Sequence, residues 1–175
     1  SDVTEFAPHA IQDGNFPNVP DNIANPEAPA VFAAPIEEAI RIEADVILAT
    51  DPDADRLGVA GRLTPDGDYQ TLSGNQIAVL LAEFILRRRA SRGDLTPEHY
   101  VVKTLVTTEM LRDIAAAFNV KTHGNVLTGF KWIGEVIDSE GSEQFVCAAE
   151  EAHGYLAGSH IRDKDGAVAA LLMAE

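Results

Sequence analysis

One stretch constrains the fold more than any other: the apolar run VILA, residues 46–49, passes directly into TDPDADR, residues 50–56. A continuous apolar run of this kind is typical of a strand that is buried on both faces. Loops at the carboxyl ends of such strands are where α/β proteins bind their ligands. Because Asp51, Asp53 and Asp55 alternate along this loop and repel one another, the sequence predicts a ligand that compensates their charge.

The remaining sequence alternates between strand and helix patterns. Residues 1–35 are rich in Pro, Asn and Asp, which favours turns and extended segments. The run PIEEAIRIE then predicts a helix, and TPDGD between two apolar stretches predicts a hairpin. From residue 74 onward, the patterns predict helix, strand, helix, strand, helix, strand and helix in that order. The predicted fold class is therefore α/β, with two incomplete units of mixed sheet and flanking helices that meet near Ser73.

Composition narrows the possible partners. The chain has 13 basic and 28 acidic residues, a net charge of −15, and 46% hydrophobic residues, which is enough for a folded core. A chain this acidic repels nucleic acid and anionic membrane surfaces, so neither is expected as a partner. The single cysteine, Cys147, excludes an intramolecular disulfide and is typical of a reducing compartment. Because no apolar stretch has membrane-spanning length and no signal-peptide pattern is present, a cytoplasmic location is expected.

Four interpretations compete for the aspartate loop. A calcium loop of the EF-hand type needs glycine at its sixth position and glutamate at its twelfth, where this sequence has Arg56 and Arg62. An aspartyl-phosphatase loop with Asp51 as nucleophile remains an alternative, although its fifth residue is usually not an aspartate. A Mg²⁺ site with Asp51, Asp53 and Asp55 as ligands explains all three carboxylates, and Arg56 then suits an anion that approaches the metal. A solvated acidic loop fits poorly with a position directly after a buried strand.

The loop and three later motifs together resemble one family. TDPDADR resembles the metal-binding loop of the α-D-phosphohexomutase superfamily, the phosphoglucomutases and phosphomannomutases. TGFKWIG, EEAHGY and RDKDG follow in the order and at roughly the spacing of that family's third domain. The resemblance implies a fragment with two incomplete three-layer α/β/α units: residues 1–73 as the end of domain 2 and residues 74–175 as domain 3. The motif forms are most similar to the branch with phosphopentomutase-like enzymes and bacterial phosphoglucomutases.

The resemblance implies a reaction and a set of roles. Enzymes of this family move a phosphoryl group between two hydroxyls of one sugar, through a phosphoserine and a bisphosphorylated sugar. By their positions in the motif, Asp51, Asp53 and Asp55 would bind Mg²⁺, and Arg56 would be the catalytic cation that steadies the phosphoryl oxygens. The family's phosphoserine loop and its fourth-domain phosphate clamp do not occur in this sequence. The missing domains 1 and 4 are therefore expected partners, and this piece alone is expected to be inactive.

The later motifs imply the substrate contacts. In EEAHGY, Glu150 matches the glutamate that accepts hydrogen bonds from vicinal sugar hydroxyls, and Gly154 belongs to the same loop. Lys131 in TGFKWIG and Lys164 in RDKDG match lysines that contact the phosphorylated sugar. Many family members have serine where this chain has Ala152, so a pentose phosphate remains an alternative to glucose or mannose phosphate. A non-catalytic module that binds sugar phosphate or metal is the alternative from another functional class.

Two further side chains in these motifs have open alternatives. His153 is a candidate proton shuttle, and the simpler interpretation is a partly exposed loop histidine. Lys164 has a simpler interpretation as well, a surface ion pair with Asp163 or Asp165. Arg162 is a further candidate for contact with the phosphorylated sugar.

Overall fold

The computed structural model describes residues 2–175, in which seven β-strands form two sheets and five α-helices pack around them. The strands are β1 (Val46–Thr50), β2 (Leu57–Arg62), β3 (Tyr69–Thr71), β4 (Tyr100–Thr104), β5 (Lys121–Val126), β6 (Phe145–Ala149) and β7 (Tyr155–Ala157). The α-helices are α1 (Ala33–Ile42), α2 (Gly74–Arg92), α3 (Met110–Ala117), α4 (Phe130–Glu140) and α5 (Gly166–Ala174). Two short 3₁₀ helices, Pro20–Asn22 and Pro29–Phe32, precede α1.

The first sheet is antiparallel, with strand order β1-β2-β3. β1 and β2 form a hairpin in which Thr50 pairs with Leu57, so residues 51–56 are the hairpin loop. The turn TPDGD joins β2 to β3, as the sequence predicts. The prediction that β1 is buried on both faces is wrong, because its apolar residues are half-buried. Within residues 2–175, β1 pairs with β2 alone and lies at the edge of the sheet.

The segment before α1 packs closely on β2. Gly58 has no space for a Cβ atom, because the carbonyl oxygen of Pro26 and the ring of Phe32 lie against it. Phe32 is buried in a small apolar cluster with Val31 and Ala60. This packing places residues 25–27 beside the loop between β1 and β2, where they contact that loop.

The second sheet is mixed, with strand order β5-β4-β6-β7. β4 is parallel to β5 and to β6, while β7 returns antiparallel to β6. The sequence patterns predict β4, β5 and β6 but miss β7, whose three residues are too few for a periodic signal. The parallel strands β4 and β6 end at one edge of the sheet, so the loops that follow them lie side by side.

Apolar side chains cover both faces of the second sheet. On one face, Val101 and Val146 pack with Ile77 of α2 and Leu111 of α3 in the largest buried cluster. On the other face, Tyr100, Val102 and Phe145 pack with Ile133 and Ile137 of α4. Helices on both faces of a sheet form a three-layer arrangement, so the predicted α/β fold class is confirmed.

The largest cluster also includes residues of the first sheet, such as Leu57 and Val59 of β2. The two sheets therefore share a core. Helix α2 contributes Ile77 to this core, and helix α5 contributes Ala169. Cys147 is buried in the same cluster, and burial raises its pKa to about 12, which leaves the thiol protonated and unreactive. In residues 2–175, no helix is both long enough and apolar enough to cross a bilayer.

Helix α2 begins directly at the junction between the two sheets. Ser73 caps it: the Oγ of Ser73 accepts a hydrogen bond from the amide of Gln76, and the Gln76 side chain accepts one from the amide of Ser73. Gly93 ends the helix with a φ of 72°, a left-handed conformation that glycine adopts without strain. The cap fixes Gly74 at the start of α2, where it contacts the loop between β6 and β7.

Candidate functional site

Asp51 organises the loop between β1 and β2, which we call the aspartate loop (residues 51–56). Asp51 is 4% exposed. One oxygen, Oδ1, accepts hydrogen bonds from the amides of Asp55 and Arg56, each at 3.1 Å. A side chain that accepts two amides of its own loop holds the backbone in one conformation. The aspartate loop is therefore preformed around Asp51.

Arg56 neutralises this buried carboxylate. Its Nε donates to Oδ2 of Asp51 at 2.6 Å, and its Nη1 donates to Glu27 at 2.8 Å and to Asn25 at 3.2 Å. Burial by itself raises the pKa of Asp51, but the hydrogen bonds and charge of Arg56 outweigh it and hold that pKa below its usual value. Asp51 is therefore ionised, and the guanidinium is fixed by three side chains at the base of the loop.

The three aspartates of the loop fit a hard divalent cation. One carboxylate oxygen from each of Asp51, Asp53 and Asp55 lies within 4.8 Å of the others. Asp51 has about four acceptor positions, of which three take N–H groups, so one remains for a metal. Asp53 is exposed and Asp55 is half-buried, so both carboxylates can reach a cation that also keeps water ligands.

The hairpin loop between β6 and β7 (residues 150–154) lies next to the aspartate loop, and we call it the sugar loop after the role that the resemblance of its motif implies. Glu150 is 8% exposed, and its Oε1 accepts a hydrogen bond from the amide of Gly129 at 2.7 Å. Burial raises the pKa of Glu150, and this outweighs the opposite effects of the Gly129 amide and the nearby Lys164. Glu150 therefore lacks the direct cationic partner that Asp51 has in Arg56.

Lys164 joins the two loops. Its Nζ lies 2.6 Å from Oδ2 of Asp55, and its aliphatic carbons pack over Gly154. A Cβ atom on Gly154 would lie 2.5 Å from Cδ of Lys164 and 3.1 Å from Oε2 of Glu150, so only glycine fits without movement. Burial alone lowers the pKa of Lys164, but the hydrogen bond to Asp55 and the negative charge of Asp55 raise that pKa above its usual value. The simpler interpretation, a surface pair with Asp163 or Asp165, is wrong because the ammonium reaches Asp55.

Main-chain contacts hold the loops together as well. Arg56 and Gly154 form an isolated β-bridge, and the amide of Leu57 donates to the carbonyl of His153 at 3.0 Å. The amide of Gly166, the first residue of α5, donates to the carbonyl of Ala54 at 2.9 Å. The aspartate loop is thus fixed on one side by the sugar loop and on another by the start of α5.

The other predicted residues take separate positions. Lys131 is exposed at the start of α4, and its Nζ lies 4.9 Å from the ring centroid of Trp132. Ala152 is exposed at the tip of the sugar loop. Arg162 points away and pairs with Asp138 at 2.8 Å. The structure therefore brings Glu150, Gly154 and Lys164 to the aspartate loop, and it leaves Lys131 and Ala152 free at the surface.

His153 has a structural environment. The side chain is 6% exposed, and its Nδ1 lies 2.9 Å from the carbonyl oxygen of Leu57. Its φ of 62° is a left-handed conformation, which the surrounding hydrogen bonds maintain. The interpretation as a partly exposed loop histidine is wrong, and burial against a main-chain carbonyl gives no support to a proton shuttle.

Four contact residues were missed by sequence reasoning. Asn25 and Glu27 hold Arg56 from 31 and 29 positions earlier in the chain, and no local pattern links them to it. Gly129 supplies the amide that holds Glu150, although TGFKWIG marks its segment. Glu151 contacts the hydroxyls of Thr104 and Thr107, and no local pattern links it to residues that lie more than 40 positions earlier.

Two models of one protein family match the chain. The family model described as "Phosphoglucomutase/phosphomannomutase, alpha/beta/alpha domain III" matches residues 73–175. The model for domain II of the same family matches residues 2–64. The chain belongs to the phosphoglucomutase/phosphomannomutase family, and it comprises parts of two of the family's α/β/α domains.

Curated relatives carry three different names. The chain is 43% identical over 155 residues to the phosphoglucomutase of Staphylococcus saprophyticus, covering 87% of this chain and 27% of that protein. It is 37% identical over 166 residues to the phosphomannomutase of Mycoplasmoides pirum, covering 94% and 29%. It is 35% identical over 159 residues to the Schizosaccharomyces pombe protein named "Probable phosphoribomutase", covering 89% and 27%. The chain thus spans less than a third of the length of these relatives.

Solved structures show the same fold. A phosphoglucomutase/phosphomannomutase family protein from Burkholderia thailandensis superimposes with a TM-score of 0.69 at 24% identity. The superposition covers 91% of this chain and 31% of that one. This likeness concerns the fold alone.

Proposed function

We propose that the protein to which this chain belongs is a Mg²⁺-dependent phosphosugar mutase. It moves a phosphoryl group between two hydroxyls of one sugar, through a phosphoserine and a bisphosphorylated sugar. This chain contributes the end of domain 2, residues 1–73, and domain 3, residues 74–175. The phosphoserine and the phosphate clamp belong to domains 1 and 4, so the chain alone is inactive as a mutase. The single buried Cys147 suits a cytoplasmic enzyme.

The observation that carries this proposal is the direct contact between the aspartate loop and the sugar loop. Lys164 bridges them through Asp55, and the Arg56–Gly154 pair joins their backbones. A phosphoryl-transfer enzyme needs the metal that binds the transferred group within reach of the residues that hold the sugar. The shared Lys164 ammonium and the β-bridge indicate that the two loops serve a common function.

The residues of the chain have distinct tasks in this mechanism. Asp51, Asp53 and Asp55 hold Mg²⁺, which supplies Lewis-acid stabilisation to the phosphoryl oxygens when it is bound. Arg56 is held rigidly by Asp51 and by Glu27, with its guanidinium beside the ligand carboxylates. A planar cation fixed in this way stabilises developing charge on the phosphoryl oxygens without reorganising first.

The sugar loop and the lysines hold the substrate. Glu150 accepts hydrogen bonds from vicinal sugar hydroxyls through the oxygen that the Gly129 amide leaves free. Lys164 and the exposed Lys131 bind the phosphate of the sugar, and Gly154 keeps the space in which Lys164 lies. The polar groups that recognise the sugar are thus supplied by one loop and two lysines.

A pentose phosphate is the second candidate substrate. Ala152 at the exposed tip of the sugar loop offers no hydroxyl to a sugar. This removes one polar contact that a hexose could use, while a smaller sugar needs fewer contacts. The likeness to a protein named as a phosphoribomutase also favours a pentose phosphate. Phosphopentomutase activity therefore stands beside activity on glucose or mannose phosphate.

Two other functions fit less well. An aspartyl-phosphatase loop usually has no aspartate at its fifth position, where this chain has Asp55. A non-catalytic module that binds sugar phosphate or metal would not need an arginine held rigidly beside the three carboxylates. Both alternatives predict that no isomerised sugar phosphate forms.

The test is an assay of the full-length protein on glucose 1-phosphate, mannose 1-phosphate and ribose 1-phosphate, with and without Mg²⁺. We expect isomerised sugar phosphate without free phosphate, and a loss of roughly 100-fold or more in kcat for Asp53→Asn. Asp66→Asn, an equal charge change at the exposed β2–β3 turn, is the control and should keep normal activity. If free phosphate is released and Asp51→Asn abolishes that release, the protein is a phosphatase. If sugar phosphate or Mg²⁺ binds but nothing is turned over, the protein is a non-catalytic binding module.

A further inference from the structure

Glu151, the residue after the expected sugar ligand, is held by two buried threonines. Its Oε2 lies 3.1 Å from Oγ1 of Thr104 and 3.2 Å from Oγ1 of Thr107. Both threonines are at most 2% exposed, and their hydroxyls lie 2.6 Å apart. The two hydroxyl hydrogens serve these three contacts, and Oγ1 of Thr107 also lies 3.4 Å from the carbonyl oxygen of Ala149, so at most two of the contacts are hydrogen bonds at one time. Because a carboxylate only accepts, Glu151 is the acceptor at the end of this network. The side chain of Glu151 therefore points into the protein.

The turn that carries the two hydroxyls is itself fixed by Lys103, near the end of β4. Lys103 is fully buried, and its Nζ donates to the carbonyls of Thr104 at 3.1 Å and Thr107 at 2.8 Å. The same ammonium pairs with Glu109 at 2.8 Å. An ammonium that ties two carbonyls of one turn together keeps that turn in a single conformation. The anchor for Glu151 is therefore rigid.

The main chain of Glu151 is held from the opposite side. Gly74, the first residue of α2, lies so close to the carbonyl of Glu151 that a Cβ atom would not fit. The hydroxyl of Tyr155 donates to the carbonyl of Gly74 at 3.0 Å, which links this contact to the start of β7. Residue 151 is thus fixed by its side chain and by its backbone, directly beside Glu150.

We infer that Glu151 is a positioning residue for sugar recognition. By anchoring the peptide that follows Glu150 to Thr104 and Thr107, it directs the Glu150 carboxylate toward the Gly129 amide and toward the sugar hydroxyls. This inference rests on the proposed function of Glu150 as the sugar ligand. It assigns the threonines and Lys103 to the support of that ligand.

The first test needs no ligand. The amide of Gly129 donates to Glu150, so its NMR shift and its hydrogen-exchange rate report the orientation of Glu150. We expect Glu151→Ala to move the Gly129 signal in the same direction as Glu150→Ala does, with faster exchange. Glu151→Gln keeps an acceptor oxygen for the threonines and should leave Gly129 nearly unchanged. A Gly129 amide that responds to Glu150→Ala but not to Glu151→Ala would overturn the inference.

The second test measures binding of ribose 1-phosphate and glucose 1-phosphate by the 175-residue chain in Mg²⁺. We expect roughly tenfold weaker binding for Glu151→Ala, near-normal binding for Glu151→Gln, and unchanged Mg²⁺ affinity in both. Glu37→Ala, at an exposed position of α1, is the control for a loss of charge. A merely structural role would weaken Mg²⁺ and sugar phosphate together, and that result would contradict the inference.

A double-mutant cycle checks the connection through the threonines. Thr107→Val keeps the volume of the buried side chain but removes its hydroxyl, so it should weaken sugar-phosphate binding by several-fold. Combined with Glu151→Ala it should add nothing, whereas additive losses would contradict the anchor. If the full-length protein, which also carries the phosphate clamp, binds neither sugar phosphate, the proposed function of Glu150 fails. The Gly129 amide then still decides whether Glu151 positions Glu150.

Discussion

The two loops of the candidate site stabilise their buried carboxylates in opposite ways. Asp51 in the aspartate loop has a guanidinium at 2.6 Å, and its pKa lies below the usual value. Glu150 in the sugar loop has one amide at 2.7 Å, and burial raises its pKa above the usual value. Neighbouring carboxylates with opposite shifts are typical of sites where each has a different task.

The difference separates a structural carboxylate from one that awaits a ligand. Asp51 is satisfied by the protein, so it stabilises the aspartate loop while it presents a single position to a metal. Glu150 is desolvated and only partly compensated, so hydrogen bonds from sugar hydroxyls would repay part of the free energy of its burial. The aspartate loop therefore contributes to stability, and under the proposed function the sugar loop would give up stability for binding.

Removal of the guanidinium should have the largest effect. Arg56→Ala leaves the carboxylate of Asp51 buried without its cation, so we expect a loss of about 2 kcal/mol or more in the free energy of unfolding. Urea denaturation followed by circular dichroism measures it. Arg41→Ala removes a pair of similar length, 2.6 Å to Glu38, at an exposed position of α1, and should leave the free energy of unfolding nearly unchanged. Equal losses for the two variants would show that Arg56 is only a surface partner.

A methyl group at Gly154 should damage the sugar loop more than the fold. Gly154→Ala forces Lys164 and Glu150 apart, so we expect a loss of about 1–2 kcal/mol in stability and a clear loss of sugar-phosphate binding. Gly14→Ala is the matched control, because nothing lies within 4 Å of its Cβ position. Calorimetric titration of the folded variants measures the binding. Normal sugar-phosphate affinity in Gly154→Ala would show that Lys164 and Glu150 do not contact the substrate.

Lys164 should affect the two ligands in opposite directions. Its ammonium lies 2.6 Å from the Asp55 carboxylate and therefore opposes a divalent cation there. For Lys164→Met we expect Mg²⁺ affinity to rise by roughly threefold to tenfold, because a repulsive charge near the metal is removed. Sugar-phosphate affinity should fall in the same variant. Lys121→Met, at an exposed position of β5, controls for the change in net charge.

The smallest expected effect is a pH dependence of stability. Because the folded pKa of Glu150 is raised, its ionisation lowers the free energy of unfolding as the pH rises from the usual value of 4.5 through the raised one. Glu150→Gln avoids this loss, so the variant should gain stability relative to the unaltered chain as the pH rises from 4.5 through the raised pKa of Glu150. Asp51 has the opposite sign: its lowered pKa preserves its contribution until the pH falls below 3.8. Urea midpoints across this range decide, and a stability difference that is constant with pH would contradict the account.

The sequence predicts those parts of the fold and site that depend on neighbouring residues. The helices, the β2–β3 turn and the parallel strands follow from local periodicity, and the aspartate triad follows from alternate spacing within one loop. β7 was missed because three residues become a strand only through pairing with β6. The half-burial of β1 was missed because position within a sheet is a tertiary property.

The contacts between distant segments could not be predicted from residue patterns. Glu27 meets Arg56 only because the segment before α1 packs on Gly58. Lys164 reaches Asp55 because α5 begins against the aspartate loop. The anchor of Glu151 requires that the loops after β4 and β6 lie side by side, which depends on strand order rather than on spacing.

The central claim is that the aspartate loop and the sugar loop form one site. The most direct test is an NMR titration of the ¹⁵N-labelled chain with Mg²⁺, followed by ribose 1-phosphate and glucose 1-phosphate, with Glu150→Ala in parallel. We predict that Mg²⁺ shifts the amides of Asp51, of residues 53–56 and of residues 153–154. Sugar phosphate should shift the amides of Gly129 and Lys164 only when Glu150 is intact. Each ligand should also tighten the binding of the other by the same factor. Mg²⁺ shifts confined to residues 51–56, with sugar-phosphate affinity independent of Mg²⁺, would contradict the claim.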